Sequence, residues 1–222
     1  KTTGAWAGEI GQVQMIPKDI LEFGYDGNGD GKVLLKESAE DAIMTAANLI
    51  GHMGWIKSEP WLEEVFLPED FPWQLAGFGR SRSLREWKKL GVKLRRGDFL
   101  EKQDRKATLL LPQGRYGPAF LAYRNFEIYL KWNDSFIYTV TAAHLAKRLK
   151  GEKKYQHKNP EGILKIESMM LLQNMLQKRG YDVGKVDGIL GAKTRQSVRK
   201  LQILYGLPAD SWPNLELLDR LS

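Results

Sequence analysis

The sequence has no cysteine, only three histidines and no long apolar run. Without cysteine there are no disulfides, zinc–thiolate sites, iron–sulfur clusters or thiol nucleophiles. That absence suits oxidising and reducing compartments alike. His52, His144 and His157 stand far apart along the chain, which leaves little room for a histidine-rich metal site or a Ser-His-Asp arrangement. No window approaches about 18 consecutive apolar residues, so no transmembrane helix is encoded. The chain begins at Lys1 rather than Met, shows no signal peptide, and reads as a mature or trimmed form.

What is present is ordinary globular material. The 222 residues suit one or two domains, and 42% hydrophobic with 27% charged residues argues against disordered and fibrous classes. Acidic residues are the minority, 27 against 34 basic, for a net charge of +7. The excess is uneven: residues 80–106 carry 11 basic and 4 acidic side chains, and 147–158 carry 6 and 1. Such a field attracts polyanions, whether nucleic acid, anionic lipid or an acidic wall polymer. A solvated face accounts for such runs equally well.

Periodicity and punctuation divide the chain. Gly4, Gly8 and Gly11 demand turns or close approaches, and Glu9, Gln12 and Gln14 lie among small residues in a segment suited to lining a groove. Ser38 caps a helix in which Ala42, Ile43, Ala46, Leu49 and Ile50 recur, with Gly51 and Gly54 as stops. From Trp55 to Gly117, short apolar runs alternate with Pro and Gly, which indicates strands and loops with a brief helix near Leu84–Leu90. Mixed structure follows to Leu149. Residues 151–162, polar and Pro/Gly-bearing, read as a linker. Residues 163–222 read as a three-helix module. Leu171, Leu172, Met175 and Leu176 share one face of its first helix, Val198, Leu201 and Leu204 face inward from its second, and a third short helix carries Leu215, Leu217, Leu218 and Leu221.

Residues 26–37, DGNGDGKVLLKE, meet every position of the D-x-[DN]-x-[DN]-G-x5-E calcium-loop pattern. Ca2+ wants 6–8 oxygens at about 2.3–2.6 Å. Asp26, Asn28, Asp30 and Glu37 supply side-chain oxygens, Lys32 its carbonyl, and Gly31 the sharp turn. An Asp/Asn/Gly-rich turn without metal is the alternative. A lone EF-hand-like loop points to a structural staple rather than a sensor.

GAWAGEIGQVQMIP at 4–17 resembles the signature of the B-type membrane-bound lytic murein transglycosylases, which place a DxNGDG loop after it. SLREWKKLGV, LLLPQG and GPAFLAYRNFEIYLKWNDSFIYTVTAAHLAKRL continue the resemblance over about residues 1–150. LLQNMLQKRGYDVGKVDGILGAKTRQSVRKLQILYGL resembles the peptidoglycan-binding type 1 module. The resemblance implies an α+β, mainly helical fold. Residues 1–150 would be a lysozyme-like catalytic portion holding the calcium loop and a small β-containing subdomain at about 55–125. A linker at 151–162 and a binding domain at 163–222 would follow.

It further implies cleavage of the MurNAc–GlcNAc β-1,4 bond of peptidoglycan without water, leaving 1,6-anhydro-MurNAc ends. The family's glutamate matches a position preceding Lys1, so the chain alone is expected to be weak or inactive, and Glu9 is the lesser candidate. Gln14 matches a sugar-contacting glutamine, Met15 stands where Phe is usual, and Ala5 replaces a common Ser. Trp132-Asn133 matches a Tyr-Asn pair in the groove and Tyr138 a groove tyrosine. Packing in a core is the competing role for Trp132 and Tyr138. The partner implied is the glycan strand, not nucleic acid. The setting implied is the periplasm of a Gram-negative bacterium, with peripheral attachment to the envelope, including a lipid anchor ahead of Lys1. A non-catalytic wall-binding protein remains the second reading.

Overall fold

The computed structural model describes residues 5, 8–95, 97, 104–156 and 158–221. Trp6 and Ala7 of the glycine-rich motif, His157, and Arg96 and Lys102 of the basic stretch lie outside the described residues. The chain forms two compact units, 1–58 and 59–222.

In the first unit, a tight turn joins the bridged pair Ile10 and Met15, and helix α1 (Pro17–Phe23) starts with a proline at its first turn. The proline position suits an orphan N–H site. Helix α2 (Ala39–His52) follows the acidic loop. Ser38 caps it, its hydroxyl accepting the Asp41 amide, as its sequence position indicates. The two helices are tied by Asn48 Nδ2 donating to the Phe23 carbonyl at 2.9 Å and by the Tyr25 amide donating to Thr45 Oγ1 at 2.9 Å. The buried face of α2 is Asp41, Ala42, Thr45, Ala46 and Leu49, while Ile43 is exposed. The expected stripe is therefore rotated: at 100° per residue, Ile43 lies on the side away from Leu49. Gly51 lies within the helix, and Gly54, at φ +97°, follows its end.

The second unit is built on a five-stranded antiparallel sheet in the order β2-β4-β5-β1-β3. The strands are β1 (Leu62–Phe66), β2 (Arg82–Ser83), β3 (Lys93–Leu94), β4 (Lys106–Leu110) and β5 (Ala119–Ala122). A 3-10 turn at Trp73–Leu75 and helix α3 (Leu84–Lys89) lie among them. Alternate side chains serve two cores. Leu109 and Leu121 point to one face with Trp87, Phe71 and Tyr123; Leu110 and Phe120 point to the other with Phe126, Phe136 and Ala143. Covering on both faces explains why β5 is apolar throughout and β4 is buried from Ala107 onward rather than alternating. Helix α3 carries a full capping box between Ser83 and Glu86, and the Trp87 indole donates to the Ala107 carbonyl at 2.9 Å.

Helices α4 (Arg124–Asn133) and α5 (Phe136–Leu149) then pack against each other, and α6 (Ile166–Lys178), α7 (Ala192–Leu204) and α8 (Leu215–Asp219) enclose a third core of Met169, Leu172, Leu176, Val198, Leu201 and Leu217. The α+β, mainly helical expectation holds. Leu171, expected on the apolar face of α6, and Leu204, expected inward, are exposed. In α7, Tyr205, four residues after Leu201, takes the inward place assigned to Leu204.

The Arg115 amide donates to Asp210 Oδ2 at 3.0 Å, the Trp212 indole donates to the Glu161 carbonyl at 3.2 Å, and Arg195 Nη2 donates to the Pro112 carbonyl at 2.7 Å. Gly114 (φ +72°) lies so close to Trp212 that a Cβ would come within 2.7 Å of it. These contacts join α7 and the segment before α8 to the β4–β5 loop, and Trp212 to Glu161.

Candidate functional site

Two sets of side chains carry the expected roles, one in each compact unit. In the first, Gln14 sits at the tip of the Ile10–Met15 turn in the left-handed region (φ +52°). Its side-chain amide donates to the Gly11 carbonyl at 3.0 Å, and the residue is exposed and available to a sugar. Met15 is 2% exposed and packs inward, so the turn separates these neighbours. That corrects the expectation of a sugar contact from Met15. Strand pairing with Ile10 points its side chain to the opposite side from Gln14. Glu9 is half-buried, and its Oε2 is buried without a hydrogen-bond partner among the described residues.

The acidic loop lies between α1 and α2. Asp26 accepts the amides of Gly29, Asp30 and Gly31 at 2.6, 3.2 and 2.7 Å. Asn28 Oδ1 accepts the Asp30 amide at 3.0 Å, and Asp30 Oδ1 accepts the Lys32 amide at 2.9 Å. Side-chain oxygens at positions 1, 3 and 5 are thus held by the loop's own backbone. Gly27 is required by contact: a Cβ there would lie 2.4 Å from the Glu40 carbonyl oxygen. Asp41, fully buried, accepts Gly27 N at 2.9 Å and Leu34 N at 2.8 Å, clamping both ends of the loop. The Leu34 amide, foremost among its partners, holds the Asp41 carboxyl below its ordinary value against the opposing effect of burial. Among the described residues no group of three acidic or imidazole side chains forms a ready-made metal cluster.

In the second unit, Asp134 ends α4 in the left-handed region (φ +49°), and Ser135 caps α5 by accepting the Tyr138 amide at 3.4 Å. This sharp reversal sets Tyr138 beside the last turn of α4. Tyr129 is the hub. Trp61 and Trp132 meet it edge-on at 5.3 and 5.2 Å, and Tyr138 stacks on it at 6.4 Å with ring planes 6° apart. Tyr138 remains 52% exposed, Asn133 is exposed and Trp132 half-buried. The structure therefore brings Trp132, Asn133 and Tyr138 together on one aromatic platform. Burial, then the Tyr138 phenol beside it, pushes the Tyr129 phenol up to about 12. Tyr129 escaped sequence reasoning, although its spacing of three before Trp132 on one helix was a usable signal.

In the last helices, the loop Tyr181–Gly188 is held from beneath by Gln173. Its Oε1 accepts the amides of Asp187 and Gly188 at 3.1 and 2.9 Å, and its Nε2 donates to the Ile189 carbonyl at 3.0 Å. Thr194 is buried and donates to the Val183 carbonyl at 3.1 Å.

Residues 1–147 match the family described as transglycosylase SLT domain, and residues 166–221 match a peptidoglycan binding domain. A search among curated proteins returns no significant match. Two crystal structures of SltB3 from Pseudomonas aeruginosa are similar at 40% identity. The complex with NAG-anhNAM-pentapeptide has a TM-score of 0.84 and 99% of this chain covered; the complex with NAG-NAM-pentapeptide has 0.85 and 100%. This chain spans 60% of the length of either. The Escherichia coli lytic transglycosylase Slt35 in complex with calcium is similar at 25% identity and a TM-score of 0.51, over 65% of this chain and 46% of that one.

Proposed function

Because the chain belongs to the transglycosylase SLT domain family, we propose that the protein cleaves the MurNAc–GlcNAc β-1,4 bond of peptidoglycan by lytic transglycosylation, leaving 1,6-anhydro-MurNAc ends. The observation that carries this reading is the exposed platform of Tyr138 and Trp132 around Tyr129, with Asn133 at its edge. Pyranose rings present C–H faces, which pack on aromatic faces, and hydroxyls, which the Asn133 amide can meet. In the first unit, Gln14, exposed at the tip of its turn, carries an amide of the kind that meets sugar hydroxyls.

The reaction needs one positioned acid. It protonates the leaving glycosidic oxygen, then takes the proton of the muramyl 6-hydroxyl as that oxygen attacks C1. The nucleophile belongs to the substrate, so the second carboxylate of an ordinary glycosidase is unnecessary. Glu9 is half-buried, and one of its carboxyl oxygens, Oε2, is turned inward. We assign it to the groove wall.

We further propose that Asp26, Asn28, Asp30, Glu37 and the Lys32 carbonyl hold Ca2+. The donor set is all oxygen, and the loop backbone already gathers its first three side chains, which supports the fit. The ion would pin α1 to α2 rather than take part in chemistry. The C-terminal helices would keep the protein on the wall, in the periplasm of a two-membrane bacterium. Sacculi incubated with the full-length gene product test the reading: released muropeptides support it, whereas sedimentation with the wall and no release favours a non-catalytic wall binder.

A further inference from the structure

Two arginines of α7 are buried without an anion. Arg195 and Arg199 are 4% and 8% exposed, and the Nε of each is buried with no hydrogen-bond partner among the described residues. Their remaining donors go only to backbone carbonyls: Arg195 to Leu111 and Pro112, Arg199 to Gln74. Both line one small cavity of about 130 Å3, together with Arg80, Lys200, Asp210 and Ser211. Four cations thus face one carboxylate. Asp210 is already committed, its Oδ1 accepting from Gln202 and the Trp212 amide and its Oδ2 from the Arg115 amide and guanidinium. Neither α7 arginine forms an ion pair among the described residues.

A buried charge is normally paired, because removing it from water costs several kcal/mol. Here burial pushes the Arg195 guanidinium down to about 10, with Asp210 only partly opposing it. Arg199 is lowered by burial and then by the like charge of Arg80. The arrangement is a cationic socket lacking its counter-charge, lined also by Phe136; the Arg195 guanidinium carbon lies 4.9 and 5.5 Å from the ring centres of Phe136 and Trp212.

We propose that this cavity is an anion subsite that takes a carboxylate of a peptidoglycan peptide stem, held between Arg199 and Arg195 with Arg80 and Lys200 at the mouth. The volume suits a carboxylate with its first carbons rather than a whole peptide. The choice of carboxylate rests on the reading that the protein works on peptidoglycan, whose stems are its acidic part. The subsite would let the C-terminal helices sense the stem as well as the glycan.

Calorimetric titration of the protein with a free stem pentapeptide, its fully amidated counterpart, inorganic phosphate and a chitin tetrasaccharide tests this. The free pentapeptide should bind and the amidated form should not. Arg199→Gln should weaken binding about tenfold or more, the size of a lost charge-assisted hydrogen bond. The double variant Arg80→Gln with Lys200→Gln changes exposed side chains only, so it serves even if Arg199→Gln misfolds. It should weaken binding several-fold and flatten its salt dependence. Equal affinity for the two peptides, unchanged affinity in both variants, or binding of phosphate without the pentapeptide overturns the proposal. Sacculus turnover measured in parallel separates the two readings. Released muropeptides without pentapeptide binding remove the subsite alone. Carboxylate binding by this chain, with no muropeptides released by the full-length gene product, removes the enzymatic reading and leaves the anion subsite standing.

Discussion

Tyr129 and Tyr138 lie face to face, ring planes 6° apart and centroids 6.4 Å apart, although one belongs to α4 and the other to α5. The half-buried ring supports the exposed one. Tyr138→Ala should therefore weaken glycan binding about two- to tenfold, the worth of one aromatic contact of roughly 0.5–1.5 kcal/mol. Tyr129→Phe should keep the stack and the affinity, whereas Tyr129→Ala should lose both. The Tyr129 phenol, pushed up to about 12, favours the folded state while protonated. Stability should fall as pH rises from the ordinary 10 towards that value, and less so in Tyr129→Phe, followed by phenolate absorbance and circular dichroism.

The Asp41 carboxyl is held below its ordinary 3.8 by amides that the native fold alone supplies. Its contribution is present above that pH and is lost as pH falls through the lower, folded value. Asp41→Asn should lower the melting temperature at neutral pH and flatten its decline in acid. Glu86 and Asp182 are shifted the same way, so the difference between variant and parent is the quantity to read.

Calcium should raise the melting temperature of the parent and leave Asp26→Ala unmoved. A ligand that binds only the folded state at one hundred times Kd adds about 2.7 kcal/mol. Chelator should reverse the shift. Equal melting curves with calcium and with chelator would remove the ion from the account.

Gln173 is fully buried beneath the Tyr181–Gly188 loop. Gln173→Leu removes the acceptor of two part-buried amides and should cost about 1–3 kcal/mol in all. Urea unfolding should show a lower midpoint, and exchange of the Asp187 and Gly188 amides should quicken.

Much of this was legible one residue type at a time. Ser38, Ser83 with Glu86, and the Asp/Asn spacing of residues 26–37 act through neighbours within a few positions, and each behaves as its local chemistry dictates. The strands between Leu62 and Ala122 and the start of α5 were legible for the same reason. What escaped depends on partners far along the chain. Tyr129 becomes a hub only once α5 folds back on α4, and Arg195 and Arg199 are buried only because α7 meets the 74–77 and 110–112 segments. Their sequence context, a basic amphipathic helix, is that of solvated charges. Met15 next to Gln14 shows the limit at its smallest scale, since a one-residue step in a bridged turn decides which side chain meets solvent.

The product of the reaction tests the enzymatic reading most directly. The full-length gene product should be incubated with purified sacculi and the released muropeptides weighed by mass spectrometry. Lytic transglycosylation predicts muramoyl ends one water lighter than reducing ends, in the 1,6-anhydro form. Reducing-end muropeptides would mean that water, not the 6-hydroxyl, attacks C1, and would contradict the assignment.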